Sequence, residues 1–334
     1  MELRPLDGVD EARAEWGTLA AASSNPFLTA EWCEAWLAHI GAGFDLRLFA
    51  GSRDDGTLLA IVPLVVTRGR YVRKARFVGF GPSNELGPIA RPEDSEAAGE
   101  LLRQALAATR RDWDVFLGEY LPGRGWAERV GGTVVARVAS PVVRGSWDGW
   151  DDYLASRSAN FRQELRRKER RLAERGLAFR AVTEASELDA GLDVLFELHR
   201  ARWGERASRW FAGREAFQRA FSRVALDRGW LRLDVLELDG RPVAAYNGFR
   251  FGAEEWSYQF GRDPAEDASS VGLVIAAHAI RRALEEGAEV FRLGPGAQRY
   301  KIRFATDELG LETIGRARGL RGWASLLAAR RRGG

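Results

Sequence analysis

Two stretches far apart in the chain repeat one pattern. LRLFAGSRDDGTLLAIVPLVV (46–66) and LRLDVLELDGRPVAAYNGFRF (231–251) share their opening, an Asp-Gly pair and a second run of small apolar residues. Asp-Gly supplies the positive φ that a tight hairpin turn needs, so each stretch reads as strand, turn, strand. Each is followed by a further strand, a loop, an alanine-rich helix (97–109 and 274–286) and a strand of similar character, WDVFLG and AEVFRLG. Two long copies are not a solenoid, which needs several short repeats. The expected class is α/β (α+β): two tandem units, each a mixed twisted sheet flanked by helices. The boundary is expected between Gly145 and Asp151, giving units 1–147 and 148–334. At 334 residues each unit can bury its own core.

Other elements follow from local chemistry. LRPL reads as a strand and the stretch to about Ala22 as a helix, broken by Asn25-Pro26. Thr29 is a plausible N-cap for a helix through Ile40, with Glu31 and Glu34 in its first turns. Residues 74–90 read as a strand and a Gly/Pro loop, and TVVARVASPVV as a strand pair. An arginine-rich helix is expected from about Trp150 to Arg175, then helices over 187–203 and 213–227.

Composition narrows the function classes. A formal charge of +3 does not single out nucleic acid as a partner, and DNA is not expected. A single cysteine, Cys33, excludes an intrachain disulfide and a cysteine-based metal cluster, and fits a reducing cytoplasm. His39, His199 and His278 are scattered without metal-ligand spacing, so no metal is expected. The opening MELRPLDGVDEARAEW has no basic segment followed by an apolar one, and the run 58–66 is too short to cross a bilayer. A soluble cytoplasmic protein without stable membrane insertion is the expectation.

The chemistry concentrates between Trp256 and Lys301. A strand (WSYQFGRD) reaches a small-residue loop (PAEDASSVG) that opens a helix (LVIAAHAIRRALEEG), and a second strand leads into PGAQRYK. A helix N-terminus presents N–H groups and partial positive charge to an anion, which suits a pyrophosphate. Lysine occurs only at Lys74, Lys168 and Lys301, so Lys301 stands out as a fixed cation and its neighbour Tyr300 as a proton donor. Trp256, Tyr258 and Gln259 lie on the preceding strand, where alternation sends one set towards an acceptor channel. His199, Arg202 and Trp203 fall one turn apart on a helix and share a side of it.

Two basic stretches remain. NFRQELRRKERRLAERG carries a narrow apolar stripe of Phe161, Leu165 and Leu172. It reads as a solvated face with Glu164, Glu169 and Glu174 as intrahelix partners, the alternative being a phosphate-rich ligand. GLRGWASLLAARRRGG reads as a frayed terminus, with contact to a membrane surface as the alternative.

NPFLTAEWCEAWL, GTLLAIVPLVV, WDVFLGEYLPG, NFRQELRRKERRLAERG, LHRARWGERAS, LDGRPVAAYNGFRF, SSVGLVIAAHAIRRALEEG and GAQRYKIRF together resemble the GNAT acyltransferase fold in tandem. The pattern is similar to FemAB-like aminoacyl transferases and most similar to the bacterial group associated with cellulose biosynthesis (CelD/BcsL type). The resemblance implies an N-acyltransferase moving an acyl group, acetyl in the simplest case, from acyl-CoA to an amine on a small molecule or glycan. It implies a donor site at Ser269, Ser270 and Gly272, and the glycine-led segment at Gly296, Tyr300 and Lys301 as the catalytic one; Val271 and Leu273 join the donor segment, and the residues' own spacing adds His199 to catalysis and Tyr258, Gln259, Arg202 and Trp203 to the acceptor side. This chain departs from the pattern in having Arg292 where an aspartate is frequent, Phe304 where a tryptophan is frequent, and a loop poor in glycine. Two alternatives follow: an aminoacyl-tRNA-dependent transferase of the Fem type, and a non-catalytic scaffold in polysaccharide assembly.

Overall fold

A computed structural model of the full chain describes residues 1–204 and 213–333. The end of LHRARWGERAS, at 205–208, lies outside the described residues. In chain order the first elements are β1 (Glu2–Leu6), α1 (Arg13–Ser23), α2 (Ala30–His39), β2 (Asp45–Ser52), β3 (Leu58–Arg68), β4 (Arg73–Phe77) and β5 (Ile89–Ala90). Next come α3 (Ser95–Ala108), β6 (Val115–Pro122), α4 (Trp126–Val130), β7 (Thr133–Val138) and β8 (Pro141–Arg144). The chain continues through α5 (Trp150–Ala155), α6 (Ala159–Ala173), β9 (Leu177–Ala181), α7 (Ala185–Trp203), α8 (Glu215–Asp227), β10 (Leu231–Leu238), β11 (Arg241–Phe251) and β12 (Glu254–Arg262). It closes with α9 (Val271–Glu285), β13 (Val290–Arg292), α10 (Arg299–Phe304), β14 (Asp307–Glu308), β15 (Leu311–Ala317) and α11 (Gly319–Gly333).

The strands form two sheets with the orders β1-β2-β3-β4-β6-β15-β7 and β9-β10-β11-β12-β13-β8-β14. In each, every neighbouring pair is antiparallel except one: β4 with β6, and β12 with β13. The sequence repeat is thus realised as the second and third strands of each sheet. Its two Asp-Gly pairs sit at the turns, Gly56 at φ 83° and Gly240 at φ 77°. The second hairpin has a two-residue loop with Asp239 also at positive φ, as a type I′ turn requires.

The compact units are Met1–Ser140 with Leu309–Gly334, and Pro141–Glu308. The expected division at 147/148 therefore changes at both ends. TVVARVASPVV is not a strand pair: β7 pairs with β15 in the first sheet, and β8 pairs with β13 and β14 in the second. Residues 309–334 belong to the first unit because β15 supplies backbone hydrogen bonds to both β6 and β7. Local sequence carries no signal for such long-range pairing, since each strand satisfies its own alternation wherever it pairs.

Caps fall where side-chain chemistry predicts. Thr29 Oγ1 accepts from the Trp32 N–H at 3.2 Å, starting α2. The arginine-rich helix is two helices, since Ser158 takes an extended ψ and its hydroxyl accepts from the Phe161 N–H, starting α6 afresh. Phe161, Leu165 and Leu172 are buried as the stripe predicts, in a core shared with α9. Glu164 and Glu169 are not intrahelix partners. They pair instead with Arg303 on α10 at 2.5 Å and Arg281 on α9 at 3.1 Å. Cys33 is buried, and burial pushes its thiol up. His39 ends α2, and His278 stacks on Phe179 at 3.8 Å between ring centroids.

Candidate active site

In the second unit β12 and β13 pair in parallel only at Glu254, Glu255 and Trp256, against Val290, Phe291 and Arg292. Beyond Trp256, β12 runs on to Arg262 while β13 has ended, so the sheet opens along the outer half of β12. The register with β11 also slips there. Asn247 faces Gln259 and Gly248 faces Ser257, leaving Tyr258 as the extra residue of a bulge. Further along, α7 lies directly on β12 because position 261 has no side chain. A Cβ on Gly261 would stand 2.8 Å from the His199 nitrogen and 2.9 Å from the Leu195 carbonyl oxygen.

The loop leaving β12 is tied down by charge. Asp263 accepts from the Ala265 N–H at 2.9 Å and starts a short 3-10 turn over Pro264–Ser269. Buried Glu266 accepts from both terminal guanidinium nitrogens of Arg175 at 2.8 Å and from one of Arg241 at 3.1 Å. The Arg175 hydrogen bonds hold its carboxyl down to about 2. Arg175 also donates to Ser269 Oγ at 3.0 Å, and Lys168 donates to the Ala268 carbonyl at 2.8 Å. Ser270 then adopts a left-handed conformation, φ 60°, and α9 starts at the next residue. That sharp turn aims the first N–H groups of a 15-residue helix along the open end of the sheet.

A cavity of about 260 Å³ occupies this opening. Ser270, Gly272 and Leu273 from α9 and its entry line it, with Arg202 from α7, Tyr300 from α10, and Phe260, Gly261, Arg262 and Asp267 from β12 and the loop. Arg262 and Asp267 form an ion pair across the wall. Gly272 leaves room for Arg262, whose Cδ would lie 3.1 Å from a Cβ there. Burial, with Arg262 nearby, lowers the Arg202 pKa, and burial raises the Tyr300 phenol to about 12. Tyr300 is therefore a protonated hydrogen-bond donor at neutral pH. His199, one turn before Arg202, is pushed down to about 4 by burial and by Arg202 and Arg200, so its imidazole is neutral.

The cavity thus joins five of the residues singled out from sequence: Ser270, Gly272, Leu273, Arg202 and Tyr300. Others lie beside it. Ser269 is held by Arg175 on the α6 side, and Val271 is fully buried in the core. Tyr258 and Gln259 are buried, Tyr258 packing on Phe249 at 5.4 Å. Trp203 is exposed under the Arg202 guanidinium, 4.6 Å from ring centre to charge. Lys301 is buried, and its ammonium donates to the carbonyls of Gly294 at 3.1 Å and Pro295 at 2.8 Å, not into the cavity. Burial lowers it to about 8. Arg292 pairs with Glu254 at 2.6 Å and covers Trp256. Arg262 and Asp267 escaped notice from sequence alone. The one available signal was their charge, Arg262 just before and Asp267 within a loop already suspected of holding an anion.

A sheet opened at one parallel pair, with a helix N-terminus in the gap, sits within the stretch from α6 to α10. Residues 159–302 match the family model of the acetyltransferase (GNAT) domain. The match covers every residue of this cavity. The fold of the whole chain is that of tandem GNAT proteins. FemX superposes with a TM-score of 0.65 at 12% identity, covering 98% of this chain and all of that one. The tandem GNAT protein of the clavulanic acid biosynthesis pathway gives 0.55 at 12% identity, covering 95% and 98%. The C-terminal domain of a putative lysylphosphatidylglycerol synthetase from Agrobacterium fabrum gives 0.58 at 14%, covering 96% and 94%. At these identities the likeness is one of fold. No curated protein matches the chain in sequence. Among the described residues no group of three His, Cys, Asp or Glu side chains is placed to hold a metal, and no helix is long and apolar enough to cross a membrane.

Proposed function

We propose that the chain is an N-acyltransferase that moves an acyl group, acetyl in the simplest case, from acyl-CoA to an amine on a small molecule or glycan, in the cytoplasm. The chemistry is assigned to the second unit. The observation that carries this reading is the meeting of the α9 N-terminus, Arg202 and Tyr300 in one cavity at the open end of β12. A helix N-terminus suits the donor's pyrophosphate, and a protonated phenol suits a leaving thiolate. The Ser269–Leu273 segment binds the donor in this reading. The amine nitrogen attacks the thioester carbonyl carbon and forms the C–N bond, the C–S bond breaks, and Tyr300 gives its proton to the departing sulfur. The proton lost by the amine goes to the neutral imidazole of His199. Lys301 is a positioning residue here: it holds the 294–295 turn that leads into Tyr300. Arg202, Trp203, Tyr258 and Gln259 are proposed for the acceptor side. The resemblance to the CelD/BcsL group supports a role in polysaccharide biosynthesis.

The test combines binding and turnover. Acetyl-CoA should raise the melting temperature and bind by calorimetry, and Tyr300→Phe should lower turnover with a panel of amines while leaving donor affinity near that of the wild type. If no acyl-CoA binds and Tyr300→Phe leaves turnover intact, the reading is lost.

One observation favours an aminoacyl-tRNA donor. Because Glu164 and Glu169 pair with α10 and α9, the exposed side chains of Arg166, Arg167, Arg170 and Arg171 on α6 have no ion-pair partner among the described residues. That helix, through Lys168, and Arg175 just beyond its end brace the proposed donor loop. A transfer reaction abolished by ribonuclease would select this donor over acyl-CoA.

A further inference from the structure

The first unit carries a face that the proposed chemistry does not use. Its helix α11 already has a core side. Leu326 is 1% exposed, over Gly315, and a Cβ on Gly322 would meet the Asp114 carbonyl oxygen at 2.1 Å, so the helix lies directly on the sheet. The residues on its other side are nonetheless apolar: Leu320 is 91% exposed, Trp323 48% and Leu327 53%. At 100° per residue these three fall within about 60° of arc, centred about 110° round the helix from Gly322 and Leu326. They are not a frayed end in search of a core.

The β3–β4 hairpin stands on the next side of α11, across a cavity from it. Its tip places Tyr71, 65% exposed, on the rim of a cavity of about 850 Å³ whose helical wall is Arg321, Ala324, Ser325 and Ala328 of α11. Seven large apolar side chains are exposed among the described residues, and Tyr71, Leu320, Trp323 and Leu327 are four of them. Cations surround the group. After Glu312 the chain holds six arginines and no acidic residue, and the hairpin adds Arg70 and Lys74 beside Arg68 and Arg73, which pair with Asp45 and Asp114. Arg70, Lys74 and Arg331 form no ion pair among the described residues.

We propose that this face docks on an anionic lipid bilayer. Leu320, Trp323, Leu327 and Tyr71 enter the boundary between headgroups and acyl chains, while the flanking arginines and Lys74 meet lipid phosphates. Charge decides between occupants. A second copy in a two-fold contact would bring these cations against the same cations, whereas an anionic bilayer supplies opposite charge and apolar depth together. A nucleic acid would meet the charge but leave the Leu-Trp-Leu stripe in water. The helix lies in the surface and does not span it.

Vesicle co-sedimentation of the full chain tests the proposal. Binding is expected to vesicles of phosphatidylcholine mixed with phosphatidylglycerol, weaker with added salt, and slight with phosphatidylcholine alone. Because the altered side chains are exposed, Leu320→Ser with Trp323→Ser, and separately Arg70→Glu with Arg331→Glu, should keep the melting temperature and lower the bound fraction on the order of tenfold or more. Ile302→Ser, at an exposed apolar site in the other unit, should bind as the wild type does. Failure to bind the anionic vesicles, equal binding to both compositions, or variants that bind unchanged would overturn the proposal. So would a wild-type dimer in sedimentation velocity that Trp323→Ser dissociates, because the stripe would then belong to a second copy.

Discussion

The ammonium of Lys301 donates to the carbonyl oxygen of Pro295 at 2.8 Å, from a side chain that is almost wholly buried. A second bond to Gly294 makes this lysine the clasp of the turn between β13 and α10. Placed there it anchors the backbone next to Tyr300, and in the proposed reaction it acts through that backbone. Lys301→Met should therefore lower the melting temperature and reduce kcat together with KM for the acceptor. Restoration by Lys301→Arg in part, but not by Lys301→Gln, would separate a need for charge from a need for hydrogen bonds.

The same burial gives a pH signature. The folded pKa of Lys301, about 8, lies below its ordinary 10.5, so between these values the unfolded chain binds more protons than the folded one. Stability from this group therefore rises with pH across that window, by on the order of 3 kcal/mol at most. The stability difference between wild type and Lys301→Met, measured by urea unfolding from pH 7.5 to pH 10.5 or so, should widen in favour of the wild type.

Tyr300→Phe removes the phenol and little else, since the ring packs edge-on to Phe260. A proton donor in the transition state contributes roughly 10²- to 10⁴-fold, so kcat should fall in that range with little change in donor affinity. With the phenol raised to about 12 and His199 held at about 4, activity should show no titration of either group between them. An acid limb of kcat/KM near pH 6.5, the ordinary histidine value, would exclude His199 in its buried setting as the base.

Gly261→Ala and Gly272→Ala should differ sharply. At 261 the new methyl would meet the His199 nitrogen, Leu198 Cβ and the Leu195 carbonyl, all within 2.9 Å, and backbone does not give way cheaply. A loss of about 1–3 kcal/mol is expected by chemical denaturation, with the α7 backbone at His199 pushed away and Arg202 displaced from the cavity. At 272 the neighbour is the Arg262 side chain at 3.1 Å, which can shift. Stability should change little there, and donor affinity should fall.

Glu266→Gln tests the tether of the 263–270 loop, proposed to hold the donor. The carboxylate is held at about 2 by Arg175, below its ordinary 4.5, so its contribution is full above pH 4.5 and is lost as pH falls through about 2. The wild type should be more stable than the variant at neutral pH, and the gap should close towards pH 2. Faster proteolysis within 263–270 in the variant, at unchanged circular dichroism, would locate the effect in the loop.

Much of the architecture was written locally. Hairpin turns at Asp55-Gly56 and Asp239-Gly240, the Thr29 cap, the apolar stripe of α6 and the order strand, loop, helix, strand from 254 to 292 all depend on neighbours within a few residues. Such features are legible because backbone preference and side-chain periodicity act over that range. The break at Ser156–Ser158 was missed because 150–175 holds no Gly or Pro to mark it, while the Ser158 cap outcompetes continuation of the helix.

The sequence by itself determined that the chain holds two copies of one α/β pattern, that only the second leads into Tyr300 and Lys301, and that a small-residue loop opens a helix before them. Tertiary structure decided which of those residues meet. Arg202 reaches the cavity because Gly261 lets α7 lie on β12, whereas Lys301 turns to the carbonyls of its own loop. It also gave β8 to the second sheet and β15 to the first, and gave the glutamates of α6 to arginines on other helices. Spacing along the chain fixes which way a side chain leaves its own strand or helix. Which distant group it then meets depends on pairings whose cost and gain are set by the whole packed unit.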